Sequence, residues 1–172
     1  MKIKFLPFLL ILFFSFIFII FYKGLKNTNS YVPVTDFKRE IPNFSANLFE
    51  KETQISSEEM FKGDKFYLLN IWSSWCIPCR DEHIFLLNLS KSENLDIIGL
   101  NYKDKKKNAK KFLSSFENPY TIIIVDEDGT LAIEWGAFGV PETFLIRENK
   151  ILKKIVGPLN KKLELEIRKF IK

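Results

Sequence analysis

The residues of this chain with redox chemistry available to them are its only two cysteines, and both stand in one tetrad, Cys76-Ile77-Pro78-Cys79, directly after Trp75. The apolar run Phe66 to Trp72 ahead of them predicts a strand, and a helix beginning at Cys76 would follow. The first sulfur then lies among unpaired backbone N–H groups at the positive end of a helix dipole, a site that favours negative charge. The thiolate is the attacking species, and in a Cys-x-x-Cys motif its pKa is lowered toward neutrality. Cys79, one turn on, can break a mixed disulfide formed at Cys76 and leave an internal Cys76–Cys79 disulfide. The expected roles are attack by Cys76, the more exposed and acidic sulfur, and resolution by Cys79, buried behind it. Trp75 and Pro78, beside and within the pair, count as its support.

Other uses of the tetrad fail on counting. A structural zinc site needs about four Cys or His ligands, and the chain offers two Cys and one His, His83. A c-type haem attachment site needs His after the second Cys, where Arg80 stands. A purely structural disulfide between residues three apart closes too short a loop to constrain the unfolded chain much. What remains is thiol-disulfide exchange, which implies neither a metal nor an organic cofactor. His83 is a tempting base, but dithiol exchange needs no histidine, and a surface or packing role fits it better.

The elements that must hold this site come from 172 residues, room for one domain. Phe5 to Tyr22 carries no charge, is dominated by Phe, Ile and Leu, and is flanked by Lys2, Lys4, Lys23 and Lys26. It is just long enough to cross a bilayer and lacks an Ala-x-Ala cleavage pattern. Residues 1–23 therefore read as an uncleaved signal anchor, 24–40 as a polar tether, and 41–172 as the domain. The flanking charges do not fix the orientation; a dithiol protein makes most sense on the oxidising side of the cytoplasmic membrane. Of 26 basic residues, four are the anchor-region lysines, so 22 face 21 acidic residues in the remainder. That near-neutral domain has no electrostatic footprint for nucleic acid. The Lys103 to Lys111 run reads as a solvated helix start.

Along the domain, strands are expected at Phe66 to Trp72, Leu95 to Tyr102, Thr121 to Val125 and Thr143 to Ile146, the last returning through Glu148-Asn149-Lys150 to Ile151 to Val156. Helices are expected from Cys76 to about Ser90, from Lys105 to Phe116, and after Gly157-Pro158, where Leu163, Ile167 and Phe170 share one face. That order implies an α/β fold: a central mixed sheet covered by helices on both faces.

Four segments carry a resemblance to a known family. They are Asn70-Ile71-Trp72-Ser73-Ser74-Trp75-Cys76-Ile77-Pro78-Cys79-Arg80-Asp81-Glu82-His83, Gly99-Leu100-Asn101-Tyr102-Lys103-Asp104, Asn118-Pro119-Tyr120 and Gly139-Val140-Pro141-Glu142-Thr143-Phe144-Leu145-Ile146. Residues from about Ile41 to Lys172 resemble a thioredoxin-fold domain, and in detail the membrane-anchored thiol-disulfide interchange proteins of cytochrome c maturation, the CcmG/DsbE group. The resemblance implies that Pro141 is a cis proline facing the sulfurs, presenting the backbone of Val140 beside Cys76 for an extended substrate to pair with. It implies that Glu142 points into the apolar active-site region, where a carboxylate raises the cost of a second negative charge and relays protons. Asn70 stands where ordinary thioredoxins carry a buried Asp, so proton transfer to the resolving sulfur falls to Glu142. Glu82, three residues beyond Cys79, is a second candidate or a solvated helix carboxylate.

The implied activity is reduction of the Cys-x-x-Cys-His cysteines of apocytochrome c for haem attachment, by an inner-membrane, single-pass protein facing the periplasm. The implied partners are apocytochrome c, a membrane electron donor of the DsbD/CcdA kind, and the haem-lyase components of maturation. A general thiol-disulfide reductase or oxidant with other clients, or a non-catalytic apocytochrome or haem chaperone, are the alternatives.

Overall fold

The computed structural model describes residues 5–26, 39–51 and 53–172, leaving aside the side chains of Leu6 and of residues 24–26. Most of the expected tether lies outside these residues. The chain forms two units, Met1–Tyr31 and Val32–Lys172. In the first, α1 (Leu6–Lys26) is a helix of 21 residues whose described aromatic and aliphatic side chains are largely exposed. Among the described residues no helix is long and apolar enough to cross a membrane. The anchor reading thus rests on the sequence run itself.

The second unit is built on one eight-stranded sheet in the order β1-β8-β7-β4-β5-β6-β2-β3. Its centre is β4 (Phe66–Trp72), parallel to β5 (Leu95–Tyr102), which is parallel to β6 (Ile122–Asp126). On the other side of β4 runs β7 (Glu142–Arg147), antiparallel, followed by β8 (Lys150–Val156). The turn between these last two puts Glu148 and Asn149 at positive φ. At the edges, β1 (Arg39–Glu40) pairs with β8, and the hairpin β2 (Ser45–Leu48) and β3 (Gln54–Ser56) adds to β6. The short β1 and the hairpin carry too few residues to announce themselves by periodicity.

Every residue of β4 is buried, as befits a central strand covered on both faces. Side-chain alternation divides it: Phe66, Leu68 and Trp72 join one apolar cluster, and Tyr67, Leu69 and Ile71 join another on the opposite face. The first cluster is covered by α3 (Ile77–Leu89), α4 (Lys106–Phe116) and α6 (Lys161–Phe170), through Leu86, Leu89, Phe112, Leu113 and Ile167. The second is covered by the short α2 (Ser57–Met60) and α5 (Thr130–Glu134) with Met60, Ala132 and the following Trp135. The mixed sheet with helices on both faces is therefore present as the element order implied. The α6 stripe differs from its expected form: Ile167 is buried, Leu163 is half-buried, and Phe170 is 46% exposed. Ile171, beyond the helix, is buried in its place and its carbonyl accepts from Asn94 Nδ2, so the chain end turns inward one residue late.

Candidate active site

Cys76 is the N-cap of α3, with extended backbone (φ −85°, ψ 111°), and its Sγ accepts a hydrogen bond from Cys79 N at 3.1 Å. Pro78 lies in the first turn, where a missing N–H costs nothing. The two cysteines form a disulfide with Cα atoms 5.3 Å apart. In this oxidised form Cys79 is buried as expected, at 2% exposed, but Cys76 at 5% is buried as well and only slightly the more exposed of the two. The disulfide folds Cys76 onto the first turn of α3, and both residues join the apolar cluster containing Trp72, Leu86 and Ile97. Trp75 projects beside them, 57% exposed, its Nε1 donating to Lys103 O at 3.1 Å.

A closed polar network lies on the same sheet face. Asn70, fully buried on β4, donates from Nδ2 to Glu82 Oε1 at 2.8 Å and to Thr143 Oγ1 at 3.0 Å, and its Oδ1 accepts from Tyr120 Oη at 2.9 Å. Glu82 Oε2 accepts from Leu159 N at 2.8 Å. Glu82 is thus not the solvated helix carboxylate that its position near the start of α3 allowed; it is completely buried, one turn beyond Cys79 and on the same helix face. Burial pushes its pKa up to about 7, against the lowering effect of the bonds from Leu159 and Asn70. Burial, and next the Glu82 charge, likewise lift Tyr120 well above the usual tyrosine range. An amide at position 70 suits this arrangement, because Asn donates to a carboxylate where Asp would repel it.

Glu142 takes a different place from the one the resemblance implied. Successive strand residues point to opposite faces, so Thr143 reaches Asn70 while Glu142, with Phe144 and Ile146, turns to the far side of the sheet. There it is buried, accepting from Phe138 N at 2.6 Å and Gly139 N at 3.2 Å through Oε1. Its Oε2 lies 2.9 Å from Nζ of buried Lys154, an ion-pair contact without hydrogen-bond geometry. Lys154 also donates to Gly136 O at 2.6 Å and sits 4.1 Å from the ring centroid of Phe138. The pair ties down the segment Gly136–Gly139, which leads into Val140 and Pro141. The Val140–Pro141 peptide is cis, Val140 is half-buried against both apolar clusters, and Pro141 O accepts from Gly157 N at 3.0 Å.

His83 packs. It is buried edge-on to Phe112, Phe116 and Tyr120, its Nε2 is 2.9 Å from Glu117 O, and burial lowers its pKa. Gly99 on β5 has a steric reason to be glycine: a Cβ there would come within 2.9 Å of the stacked Trp72 and Tyr120 rings. Thr143, Tyr120 and Lys154 had no assigned part in the site from sequence. Tyr120 and Thr143 do lie in two of the segments that carry the resemblance, whereas Lys154 is one lysine among many. Among the described residues no group of three or more His, Cys, Asp or Glu could hold a metal ion.

A buried disulfide at a helix N-terminus, with a titratable carboxylic acid one turn on, can run thiol-disulfide exchange. Comparison with known proteins agrees. The family model described as Redoxin matches residues 38–168. The thiol:disulfide interchange protein CycY of Rhizobium leguminosarum bv. viciae is 47% identical over 95 residues, which is 55% of this chain and only 51% of CycY. Proteins named thiol:disulfide interchange protein DsbE align over more: that of Escherichia coli is 36% identical over 76% of this chain and 71% of its own length. That of Yersinia pestis is 32% identical over 92% and 86%. Among solved structures, a DsbF homologue from Corynebacterium diphtheriae superposes with TM-score 0.68 at 19% identity, covering 84% of this chain and 95% of that one, a likeness of fold.

Proposed function

The chain belongs to the Redoxin family, among the DsbE thiol:disulfide interchange proteins, and from that membership we propose a membrane-anchored dithiol reductase facing the periplasm that acts on the Cys-x-x-Cys-His cysteines of apocytochrome c. The observation that carries the chemistry is the burial of Glu82 one turn from Cys79, with a pKa of about 7. A carboxyl group near neutrality exchanges protons in both directions at working pH.

In the reduced protein the Cys76 thiolate attacks one sulfur of the substrate disulfide. That S–S bond breaks, a mixed disulfide forms on Cys76, and the released substrate thiolate takes a proton. Cys79 gives its proton to Glu82 and attacks Cys76 Sγ, which expels the second substrate thiolate. Glu82 hands that proton on to the expelled thiolate, and solvent supplies the proton taken by the first one. The substrate thus gains two electrons and two protons, one from Cys79 by way of Glu82 and one from solvent, and the protein is left as the Cys76–Cys79 disulfide. A membrane electron carrier of the DsbD/CcdA kind returns the two electrons, and haem-lyase components receive the reduced apocytochrome.

The Val140–Pro141 segment supports this reading as the edge on which an extended substrate pairs. Removing the resolving thiol stalls the exchange, so Cys79→Ser is expected to trap a disulfide adduct on Cys76 that contains apocytochrome c, visible on diagonal gels. A trap that recovers many unrelated secreted proteins and no apocytochrome sinks the maturation role and leaves a general reductase.

A further inference from the structure

The turn that delivers Cys76 to the head of α3 is held from outside its own strand. After β5 the chain passes through Tyr102-Lys103-Asp104, with Lys103 in the left-handed region (φ 44°) and its N–H bonded to Asp126 O at 2.8 Å. From there it receives the side-chain bonds of Ser73, Ser74 and Trp75, the three residues directly before Cys76. Ser73 Oγ donates to Tyr102 O, and Trp75 Nε1 donates to Lys103 O at 3.1 Å. Ser74 gives two bonds to one carboxylate: its N–H to Asp104 Oδ2 at 2.6 Å and its Oγ to Asp104 Oδ1 at 2.8 Å. Buried Asn101 donates to the same Asp104 Oδ2 at 3.1 Å and so fixes the carboxylate from behind.

We infer that Asp104 is a positioning residue of the exchange site, holding the Ser73–Trp75 turn so that Cys76 stays at the N-cap of α3 and the exposed Trp75 indole stays beside it. This rests on the dithiol-exchange reading given above. The residue type is what the task requires. An ionised carboxylate is acceptor-only with two oxygens, so it satisfies both donors of Ser74 and that of Asn101 together through charge-assisted bonds. Asn could offer one oxygen and would turn an N–H toward a remaining donor. The parallel pairing of Trp72 with Asn101 brings the two turns level at the same end of the sheet.

Charge and position make opposite forecasts, which makes the role testable. As a bare charge near the site, Asp104 would oppose a thiolate, and its removal would speed alkylation. As the clamp, its removal loosens Cys76 from the helix N-terminus and slows it. In the full-length reduced chain, iodoacetamide labelling of Cys76 at neutral pH, followed by peptide mass spectrometry, should slow by about tenfold or more in Asp104→Ala, the scale on which a misplaced reacting group is felt. Ser74→Ala, which deletes one of the two Ser74 bonds, should slow it less, and decides the matter if Asp104→Ala fails to fold. Acrylamide quenching should rise in both variants, since Trp72 and Trp135 are buried and the accessible emission is that of Trp75. Labelling that is unchanged or faster in the variants overturns the inference. A wild-type protein whose Cys76 labels no faster than Cys79 and exchanges with no disulfide overturns the parent reading instead.

Discussion

Glu82 shows how one residue can serve chemistry at a cost in stability. Its carboxyl is buried on α3 with a pKa raised from the ordinary 4.5 to about 7, so between those values the folded protein binds more protons than the unfolded chain. Stability therefore falls as pH rises through that window and levels off above it. The shift corresponds to about 3 kcal/mol. Urea unfolding of the oxidised protein at pH 5 and pH 8 should show this loss, and Glu82→Gln should flatten most of it. If Glu82→Gln keeps the full pH slope, the titrating group has been misassigned. The same substitution should slow resolution of the mixed disulfide, because the amide cannot accept the Cys79 proton.

At the scale of elements, the alternation of β7 decides which side Glu142 faces. Thr143 meets Asn70 on the dithiol face, and Glu142 meets Lys154 on the other. The ion pair is buried on both sides, so removing one partner strands the other. Lys154→Ala should cost about 3 to 5 kcal/mol in urea unfolding, while the double variant Lys154→Met with Glu142→Gln, which leaves no uncompensated charge, should recover most of that. The Gln oxygen can still accept from Phe138 and Gly139. A double variant as unstable as Lys154→Ala alone would show that the loop contacts of Lys154, to Gly136 O and the Phe138 ring, matter more than charge balance.

At the scale of the whole molecule, the chain divides into a short N-terminal unit around α1 and the sheet-centred unit that carries the dithiol. On the anchor reading of the uncharged run Phe5 to Tyr22, the full chain is expected to stay with the membrane on fractionation. A protein released to the soluble fraction with a new N-terminus near Asn27 would refute the anchor and leave the dithiol chemistry standing. With an anchor, the sheet unit meets its clients near a membrane surface, and the near balance of its charges gives it no strong pull toward either sign of partner.

Much of this was legible in the sequence because it depends on neighbours along the chain. The Cys-x-x-Cys spacing places two sulfurs on one helical turn, the apolar runs of β4 and β5 mark strands buried on both faces, and the Glu148–Lys150 turn closes a hairpin between adjacent strands. The roles of the acids were not legible. Whether Glu142 or Thr143 faces the dithiol is a question of strand register, in which a shift of one residue exchanges the faces. Whether Glu82 is solvated or buried depends on Asn70 and on the N–H of Leu159, which is 77 residues distant. Asp104 is one carboxylate among 21 acidic residues until parallel pairing sets its turn level with Ser74. Local pattern could name the sulfurs and their helix; only the packed sheet could decide which buried carboxylate shares their face, because burial and register are set by residues far apart in the chain.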